Sequence, residues 1–354
     1  MYKVKINIIL NFFRGIAGGY KVVYQYANFL VSEGHDVIIY YDLHNGVNSK
    51  RIPKKIMLLI RKKFLKKYPY YFSLEKSIKQ IGIKDIENNL IRDADICILT
   101  SPNVANASIN LDTKKGKKIY FIQGYENWWN DEKILNDSYK ICEKNIVISE
   151  WLKEIVDKYS KNKSVVICNG IDLSKFKVIN RNKDRIGHSI SMVYHLDEIK
   201  GCKYGLDAIY RLKLIYPDLV VNIFGNPKRP KALPKWINYK QKASEDEIVD
   251  ILNNSSIFMC TSIHEGFGLP GLEAMACGCV LVTTNCFGPL EYANERNAII
   301  CETKEPNQLF EGVKRVFEND NLKNSLLQQA KIDVEKWDIK KSMRQFEKEI
   351  FNKN

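Results

Sequence analysis

Short β-branched runs alternate with helical hydrophobic patterns along most of this chain, and that alternation constrains the fold more than any other feature. In the first half, such runs indicate buried strands at residues 5–10, 36–41, 95–100, 118–123, 145–149 and 164–168. Between them apolar residues recur at helical spacing, as over residues 20–31, where Gly34 is expected to end the helix. Strands alternating with helices in this way predict an α/β fold built on a parallel sheet.

A second cycle of the same kind follows the polar residues 180–188. It predicts strands at 189–194, 219–224, 257–261 and 280–284, helices at 204–215, 245–253 and 270–277, and a helical region at 305–351. We therefore predict an α/β protein with two Rossmann-like domains facing each other across a cleft, because open parallel sheets bind ligands beyond the carboxyl ends of their strands. The predicted domains are residues 1–180 and residues 181–338, with a last helix at about 339–354 packing back on the first.

The charge balance points to an anionic partner. Lys and Arg number 55 against 41 Asp and Glu, a net charge of +14. No apolar run approaches the roughly 18 to 20 residues of a membrane span. Residues 1–10 alternate apolar and polar side chains, as a strand does and a signal peptide does not. The nine cysteines are an odd set, mostly in apolar contexts, and are interpreted as reduced thiols, so a cytoplasmic protein is expected.

Residues 50–67 concentrate this charge, with nine Lys or Arg and no Asp or Glu. Apolar side chains are interleaved with the cations, which predicts a basic, imperfectly amphipathic helix starting near Pro53. Such a helix suits the surface of an anionic membrane, so we expect peripheral attachment to the inner face of the cell membrane. A merely solvated basic face is the alternative. Nucleic acid is not an expected partner, since the segment belongs to no recognisable binding module.

Residues 262–276 carry the pattern that is most informative about chemistry: a strand end, a glycine-rich loop and then a helix. Gly266 and Gly268 leave room for backbone to approach a ligand, and the helix start favours a phosphate. Glu265 is expected at the mouth of the loop and Glu273 in the first helical turn, both able to accept hydroxyl hydrogen bonds. The plainer interpretation of Glu273 is a residue that only caps a surface helix.

The spacing Glu265-x7-Glu273 in EGFGLPGLEAMACG, followed by CVLVTTNCFGPLEY, resembles the signature of the retaining GT-B glycosyltransferases of family four. Further matches follow in chain order and cover most of the sequence: Gly18 and Gly19 before a helix, SEWL at 149–152, NGID at 169–172, and Lys200 with Gly201. The resemblance implies a GT-B fold and transfer of a sugar from a UDP-, dTDP- or GDP-linked donor, with no metal or other cofactor. It also implies a saccharide or lipid-linked saccharide acceptor, in the synthesis of a bacterial surface polysaccharide such as capsule or O-antigen.

The same resemblance assigns roles around the leaving diphosphate. Lys200 would neutralise the negative charge that grows as the glycosidic bond breaks. The family usually has an Arg five residues earlier, where this chain has His195. That histidine is either a donor to the diphosphate or a half-buried polar residue after a strand.

The remaining donor contacts are also implied by the resemblance. Glu273 would hold the ribose hydroxyls, while Glu265 and the backbone amides of the next loop residues would hold the transferred sugar. These amides belong to Gly266, Phe267, Gly268 and Leu269. Gly18 and Gly19 would let the first domain approach the diphosphate or sugar.

On the acceptor side, many members carry a His or Asp after the strand that ends here near residue 123, and this chain has neither in the strict position. Glu126 is our candidate for orienting an acceptor hydroxyl. Tyr125, Trp128 and Trp129 are candidates for stacking on sugar faces. An equally open interpretation is that the two tryptophans pack in the wall between the domains.

Other function classes find less support. Asp93-Ala94-Asp95 formally matches a metal-binding DxD, but it precedes a predicted strand and is interpreted as a turn. A GT-B sugar epimerase or phosphorylase, and a non-catalytic membrane-associated scaffold that binds saccharides, remain alternatives to a transferase.

Overall fold

The computed structural model describes residues 3–13, 15, 17–44, 53–65, 68–127, 131–179 and 185–352. The chain divides into two compact units, one of Met1–Cys168 with Met343–Asn354 and one of Asn169–Ser342. Each unit contains a parallel sheet with connecting helices. This confirms the predicted α/β class with two Rossmann-like domains.

The first unit is built on a sheet of seven described strands. They are β1 (Lys5–Asn11), β2 (Asp36–Asp42), β3 (Lys79–Ile83), β4 (Ile96–Leu99), β5 (Lys117–Ile122), β6 (Lys144–Val147) and β7 (Val165–Val166). Their order is β3-β2-β1-β4-β5-β6-β7, and each of these pairings is parallel. The connecting helices are α1 (Gly18–Ser32), α2 (Lys54–Leu65), α3 (Pro102–Ala107), α4 (Glu132–Ser138) and α5 (Glu150–Val156).

The second unit holds a six-stranded sheet. Its strands are β8 (Ser189–Tyr194), β9 (Val220–Gly225), β10 (Ile237–Gln241), β11 (Ile257–Cys260), β12 (Val280–Thr284) and β13 (Ala298–Cys301). They lie in the order β10-β9-β8-β11-β12-β13, again with parallel pairing. The helices are α6 (Cys202–Ile215), α7 (Glu245–Asn253), α8 (Leu269–Ala276), α9 (Pro306–Glu318) and α10 (Asp320–Val334).

The sequence prediction missed three strands, β3, β10 and β13, and all three lie at sheet edges. Interior strands of a parallel sheet are buried on both faces and give continuous apolar runs, as in β1. The edge strand β3 buries only Ile83, and β10 buries only Ile237. Their patterns therefore carry little of the signal by which a buried strand is recognised.

The predicted end of α1 is confirmed. Gly34 has φ +95°, the left-handed conformation that glycine adopts easily. The next amide, that of His35, donates to the carbonyl of Leu30 over 3.0 Å, which closes the last helical turn.

The last helix of the chain, α11 (Ile339–Phe351), packs on the first unit through its second half. The buried Phe346 ring lies 4.8 Å, centroid to centroid, from Tyr26 and 4.8 Å from Phe121. The almost fully buried Lys144 Nζ pairs with Glu349 Oε1 over 2.6 Å. An aromatic cluster and a buried ion pair therefore join this helix to α1, β5 and β6.

Truncating Phe346 tests how much this packing contributes. We expect Phe346→Ala to lower the free energy of unfolding of the first unit by about 3–5 kcal/mol, since the ring is 1% exposed. Ile332→Ala, at a residue 60% exposed on α10, is the control and should change stability by less than about 0.5 kcal/mol. Urea unfolding followed by circular dichroism measures both, and a loss below about 1 kcal/mol for Phe346→Ala would contradict the packing.

Candidate functional site

Three loops leave the carboxyl edge of the second sheet side by side. They follow β8, β11 and β12, which are neighbours in the strand order, and they cover residues 195–201, 261–268 and 285–288. The carboxyl edge of an open parallel sheet is where such folds bind ligands. These loops contain six of the eight site residues that the sequence analysis predicts for the second unit, and the other two, Leu269 and Glu273, lie on α8.

Backbone and side-chain hydrogen bonds tie the three loops together. Thr261 Oγ1 donates to the carbonyl of Lys200 over 2.9 Å, which joins the loop after β11 to the loop after β8. The amide of Glu265 donates to the carbonyl of Cys286 over 3.0 Å, which joins it to the loop after β12. The middle loop is thus held from both sides.

Lys200 and Glu265 form an ion pair within this frame. Lys200 Nζ lies 2.8 Å from Glu265 Oε1, and Ser262 Oγ donates to the same oxygen over 2.7 Å. The Lys200 side chain is 34% exposed and that of Glu265 is 17% exposed, so a ligand can reach both. The two residues come from loops more than 60 positions apart in the sequence, and their predicted roles toward the diphosphate and the sugar stay predictions.

The ion pair fixes the charge of the lysine. Burial works against the charged amine, but the charge and hydrogen bond of Glu265 outweigh it, so the pKa of Lys200 is raised. Lys200 is therefore an ammonium at neutral pH. An ammonium has three donors, and the bond to Glu265 uses one of them. The site thus combines a cation with spare donors and a carboxylate with spare acceptor capacity.

The glycine loop ends in a left-handed residue that starts α8. Gly268 has φ +82°, and a Cβ there would lie 2.7 Å from Pro289 Cγ, so only glycine fits without rearrangement. The buried Tyr292 hydroxyl donates to the Gly268 carbonyl over 2.5 Å and fixes the turn. Pro270 has no N–H, and the amide of Gly271 donates to the Gly268 carbonyl over 3.0 Å, so the positive dipole end of α8 is what favours an anion at this edge.

The predicted position of Glu273 needs correction. Glu273 is the fifth residue of α8, which begins at Leu269, so it lies past the first helical turn. The prediction placed it in the first turn because the helix start was inferred from Pro270. Glu273 is also 9% exposed, which excludes the interpretation as a cap on a surface helix.

His195 directly follows β8 and is partly exposed. The amide of Asp197 donates to His195 Nδ1 over 3.1 Å, so the neutral ring carries its proton on Nε2. The same nitrogen is 3.3 Å from Asp197 Oδ2, which would pair with the protonated ring. His195 thus has a donor at Nε2, and a role toward a diphosphate stays a prediction.

Gly18, Gly19, Tyr125 and Glu126, the described residues among those predicted for the first unit, lie at the carboxyl edge of its own sheet. Gly18 and Gly19 were predicted to lie in a turn before α1, but they are the first two residues of the helix. The residue before them, Ala17, has extended backbone and is the N-cap. A Cβ on Gly19 would come within 3.4 Å of Gln123 Cβ, just after β5. Glu126 follows in the same loop, close enough for its charge to add to burial in raising the pKa of Tyr20.

Tyr125 lies beside Glu126, and burial raises its pKa. Trp128 and Trp129 fall outside the described residues. The acceptor assignments of Glu126, Tyr125 and Trp128 therefore stay predictions.

Several residues of the site were missed by sequence reasoning. Ser262, three positions before Glu265, orients that carboxylate, and its place at a strand end was the available signal. His264 stacks on Phe287 at 4.5 Å, and burial lowers its pKa, which favours the neutral ring. The role of Tyr292 had no local signal, because it acts on Gly268 from 24 residues away.

The two Rossmann-like units place the chain in the GT-B fold class. The model of "Glycosyltransferase Family 4" matches residues 16–175, and the model of "Glycosyl transferases group 1" matches residues 175–333. The two matches adjoin and span nearly the whole chain. This chain belongs to glycosyltransferase family four, as the resemblance predicted.

Individual relatives agree with the family. An uncharacterised glycosyltransferase of Haemophilus influenzae is 23% identical over 359 residues, covering 94% of this chain and 96% of its own length. The chain spans only about half (54%) of another relative, the Methanocaldococcus jannaschii glycosyltransferase MJ1178, at 25% identity over 53% of this chain.

A shorter match reaches higher identity. The N,N'-diacetylbacillosaminyl-diphospho-undecaprenol alpha-1,3-N-acetylgalactosaminyltransferase of Campylobacter jejuni is 32% identical over 96 residues, 27% of this chain and 26% of that protein. Among solved structures, Anabaena Alr3699/HepE in complex with UDP-glucose superimposes with a TM-score of 0.75 at 12% identity, covering 98% of this chain and 99% of that one. At this identity the superposition supports the GT-B fold alone.

The left-handed glycine offers a direct test of the loop. Gly268→Ala should lower the free energy of unfolding by about 2 kcal/mol or more, because it adds left-handed strain and a contact with Pro289. Gly187→Ala is the matched control, since a Cβ there meets no atom within 4 Å, and it should lose no stability. Chemical denaturation compares the two, and equal stabilities would show that the loop does not require glycine.

The ion pair makes a prediction about titration. Glu265→Gln removes the charge that raises the pKa of Lys200 and leaves the opposing effect of burial, so that pKa should fall. Competitive acetylation across a pH series, with mass spectrometry of the Lys200 peptide, should show the amine becoming reactive at lower pH. Glu198→Gln removes an exposed carboxylate from the same turn and should leave the profile unchanged. No shift in Glu265→Gln would mean that the ion pair does not form in solution.

Proposed function

We propose that this glycosyltransferase moves a sugar from a nucleotide-diphosphate donor to a saccharide or lipid-linked saccharide, with retention of anomeric configuration. The observation that carries the proposal is the Lys200–Glu265 ion pair at 2.8 Å beside the glycine loop. The Lys200 ammonium can bind a leaving diphosphate, and the neighbouring Glu265 carboxylate can accept hydrogen bonds from sugar hydroxyls. Both side chains are partly exposed at the carboxyl edge of the second sheet.

The donor would bind by its charge and its hydroxyls. The Lys200 ammonium and the positive N-terminal end of α8 bind the diphosphate, and the Nε2 proton of His195 supplies a further donor. Glu265 accepts hydroxyl hydrogen bonds from the sugar, together with the loop amides of residues 266–269. Glu273, one turn further along α8, holds the ribose hydroxyls.

The proposed reaction proceeds on one face of the sugar. The bond between the anomeric carbon and the β-phosphate oxygen breaks, and its electron pair stays on that oxygen. The acceptor hydroxyl bonds to the same carbon from the same side and passes its proton to the departing phosphate. The products are a glycosylated acceptor and a nucleoside diphosphate. Lys200 stabilises the charge that develops on the leaving group, which is where catalysis gains most from a fixed cation.

The relatives support this choice of substrates. The Anabaena protein was solved with UDP-glucose, and the Campylobacter enzyme is named for a diphospho-undecaprenol acceptor. We propose a UDP-, dTDP- or GDP-linked donor and an acceptor of the saccharide or lipid-linked class, in surface polysaccharide synthesis at the cytoplasmic face of the membrane. Glu126, Tyr125 and Trp128 in the first unit are the proposed acceptor residues, and Gly18 and Gly19 bring its backbone toward the donor. Transfer is proposed to need no metal.

The test begins by finding the donor. Thermal-shift screening with nucleotide sugars should identify it, since a ligand at 100 times its Kd stabilises by about 2.7 kcal/mol. With that donor, Glu265→Ala should lower kcat by about 100-fold or more, and Lys200→Ala should raise the donor KM and lower kcat. Lys203→Ala, at an exposed lysine over the Tyr204 ring, is the matched control and should retain full activity.

The products separate the proposal from its alternatives. Nuclear magnetic resonance of the new linkage should show the donor's own anomeric configuration, and a chelator should leave the rate unchanged. Full activity in both Glu265→Ala and Lys200→Ala would overturn the proposed site. An altered sugar released without any acceptor would identify an epimerase instead.

A further inference from the structure

Helix α2 exposes a stripe of large apolar side chains. The most exposed are Ile56 (50%), Leu59 (69%), Ile60 (40%) and Phe64 (42%). At 3.6 residues per turn these positions lie along one side of the helix. The helix covers the described part of the predicted basic segment 50–67, of which residues 50–52 and 66–67 fall outside the described residues. No described helix is both long and apolar enough to cross a bilayer.

The opposite side of α2 is anchored to the first unit. Leu65 is buried, and the guanidinium of Arg61 donates to the carbonyl of Leu43 over 2.8 Å. The same guanidinium lies 5.7 Å from the centre of the Phe12 ring. Phe12 and Leu43 directly follow β1 and β2, so the helix is fixed at the carboxyl edge of the first sheet. The exposed stripe is therefore held at the sheet edge from which the loop with Tyr125 and Glu126 also leaves.

Charge decides what kind of partner fits this stripe. The helix contains no Asp or Glu, and the exposed Lys55, Lys62 and Lys63 lie beside or within the apolar stripe. A second copy docking the same face would bring these cations against their own equivalents, which is unfavourable. An anionic lipid surface offers phosphates to the lysines and an apolar layer to the side chains between them.

We propose that α2 lies in the plane of an anionic lipid leaflet, with Ile56, Leu59, Ile60 and Phe64 inserted at the boundary between headgroups and acyl chains. Lys55, Lys62 and Lys63 contact the lipid phosphates. This inference rests on the proposed function for its biological purpose, since it would bring the acceptor edge of the first unit to a lipid-linked saccharide.

Vesicle flotation with the full chain tests the surface. The wild type should float with vesicles of phosphatidylglycerol and phosphatidylcholine and stay in solution with phosphatidylcholine alone. Leu59→Glu with Ile60→Glu should lower the partition coefficient at least tenfold at every salt concentration, because charged groups do not insert. Lys62→Glu with Lys63→Glu should lower it at least tenfold in low salt, because two cations near the leaflet are reversed.

Matched variants control for charge and exposure. Lys161→Glu with Lys163→Glu makes the same charge change elsewhere on the first unit, and Leu214→Glu alters an exposed leucine of α6. Both should float like the wild type. Unchanged flotation of both α2 variants would overturn the proposal. So would a wild type that does not float with anionic vesicles. A wild-type dimer that Leu59→Glu with Ile60→Glu makes monomeric would instead identify a second copy as the occupant.

An activity measurement separates this inference from the proposed function. The α2 variants should retain transfer to a water-soluble saccharide and lose at least tenfold in transfer to a lipid-linked saccharide in anionic vesicles. If no protein shows transfer but flotation is as expected, the proposed function is refuted and the proposed lipid-binding role of α2 is retained. Full transfer by the α2 variants to the lipid-linked saccharide in vesicles would refute the proposed lipid-binding role of α2.

Discussion

Parallel pairing of buried strands is the constraint on which the structure depends. A parallel pair sends both carboxyl ends to one edge, so loops that are distant in sequence leave the sheet together. In the second unit this brings Lys200, after β8, to within 2.8 Å of Glu265, after β11. The continuous apolar strands supply this order through burial, and the polar residues after each strand are then free to vary in chemistry. The core fixes where a site lies, and the loops fix what it does.

The Lys200–Glu265 pair is weak support for a stability role, and the proposed ligand-binding role fits its geometry. Bringing two charges partly out of water costs free energy that their attraction recovers only in part, so such a pair is weak support for a stability role. Two hydrogen bonds reach the same carboxylate oxygen, one from Lys200 and one from Ser262, so both orient the Glu265 carboxylate. An arriving diphosphate would share the lysine with Glu265 and replace solvent around it. The pair therefore fixes the position of the Lys200 ammonium.

The interior of both sheets could be predicted from the sequence because strands buried on both faces give unbroken apolar runs. The edge strands β3, β10 and β13 were not predicted, and β3 and β10 bury only one residue each, whereas the fourth edge strand, β7, was predicted from its apolar run. At the site, the glycine loop and Glu265 were evident from residue types. The true start of α8 was not, because the left-handed backbone of Gly268 depends on Tyr292 and Pro289, which pack from a distant loop. Local pattern thus predicts which residues matter, and non-local packing sets their positions.

The same reasoning applies to the first unit, where helix α2 departs from the usual role of a connecting helix. A helix between two parallel strands normally buries its apolar side on the sheet, yet α2 buries little beyond Leu65 and leaves a longer apolar stripe in solvent. The exposed stripe is unfavourable in water, because each Å² of exposed apolar surface forgoes about 25 cal/mol of burial free energy. An anionic lipid leaflet would bury the apolar side chains among its acyl chains and place its phosphates beside the lysines. Since Arg61 fixes the helix to the ends of β1 and β2, attachment to lipid would also orient the carboxyl edge of the first sheet toward the surface.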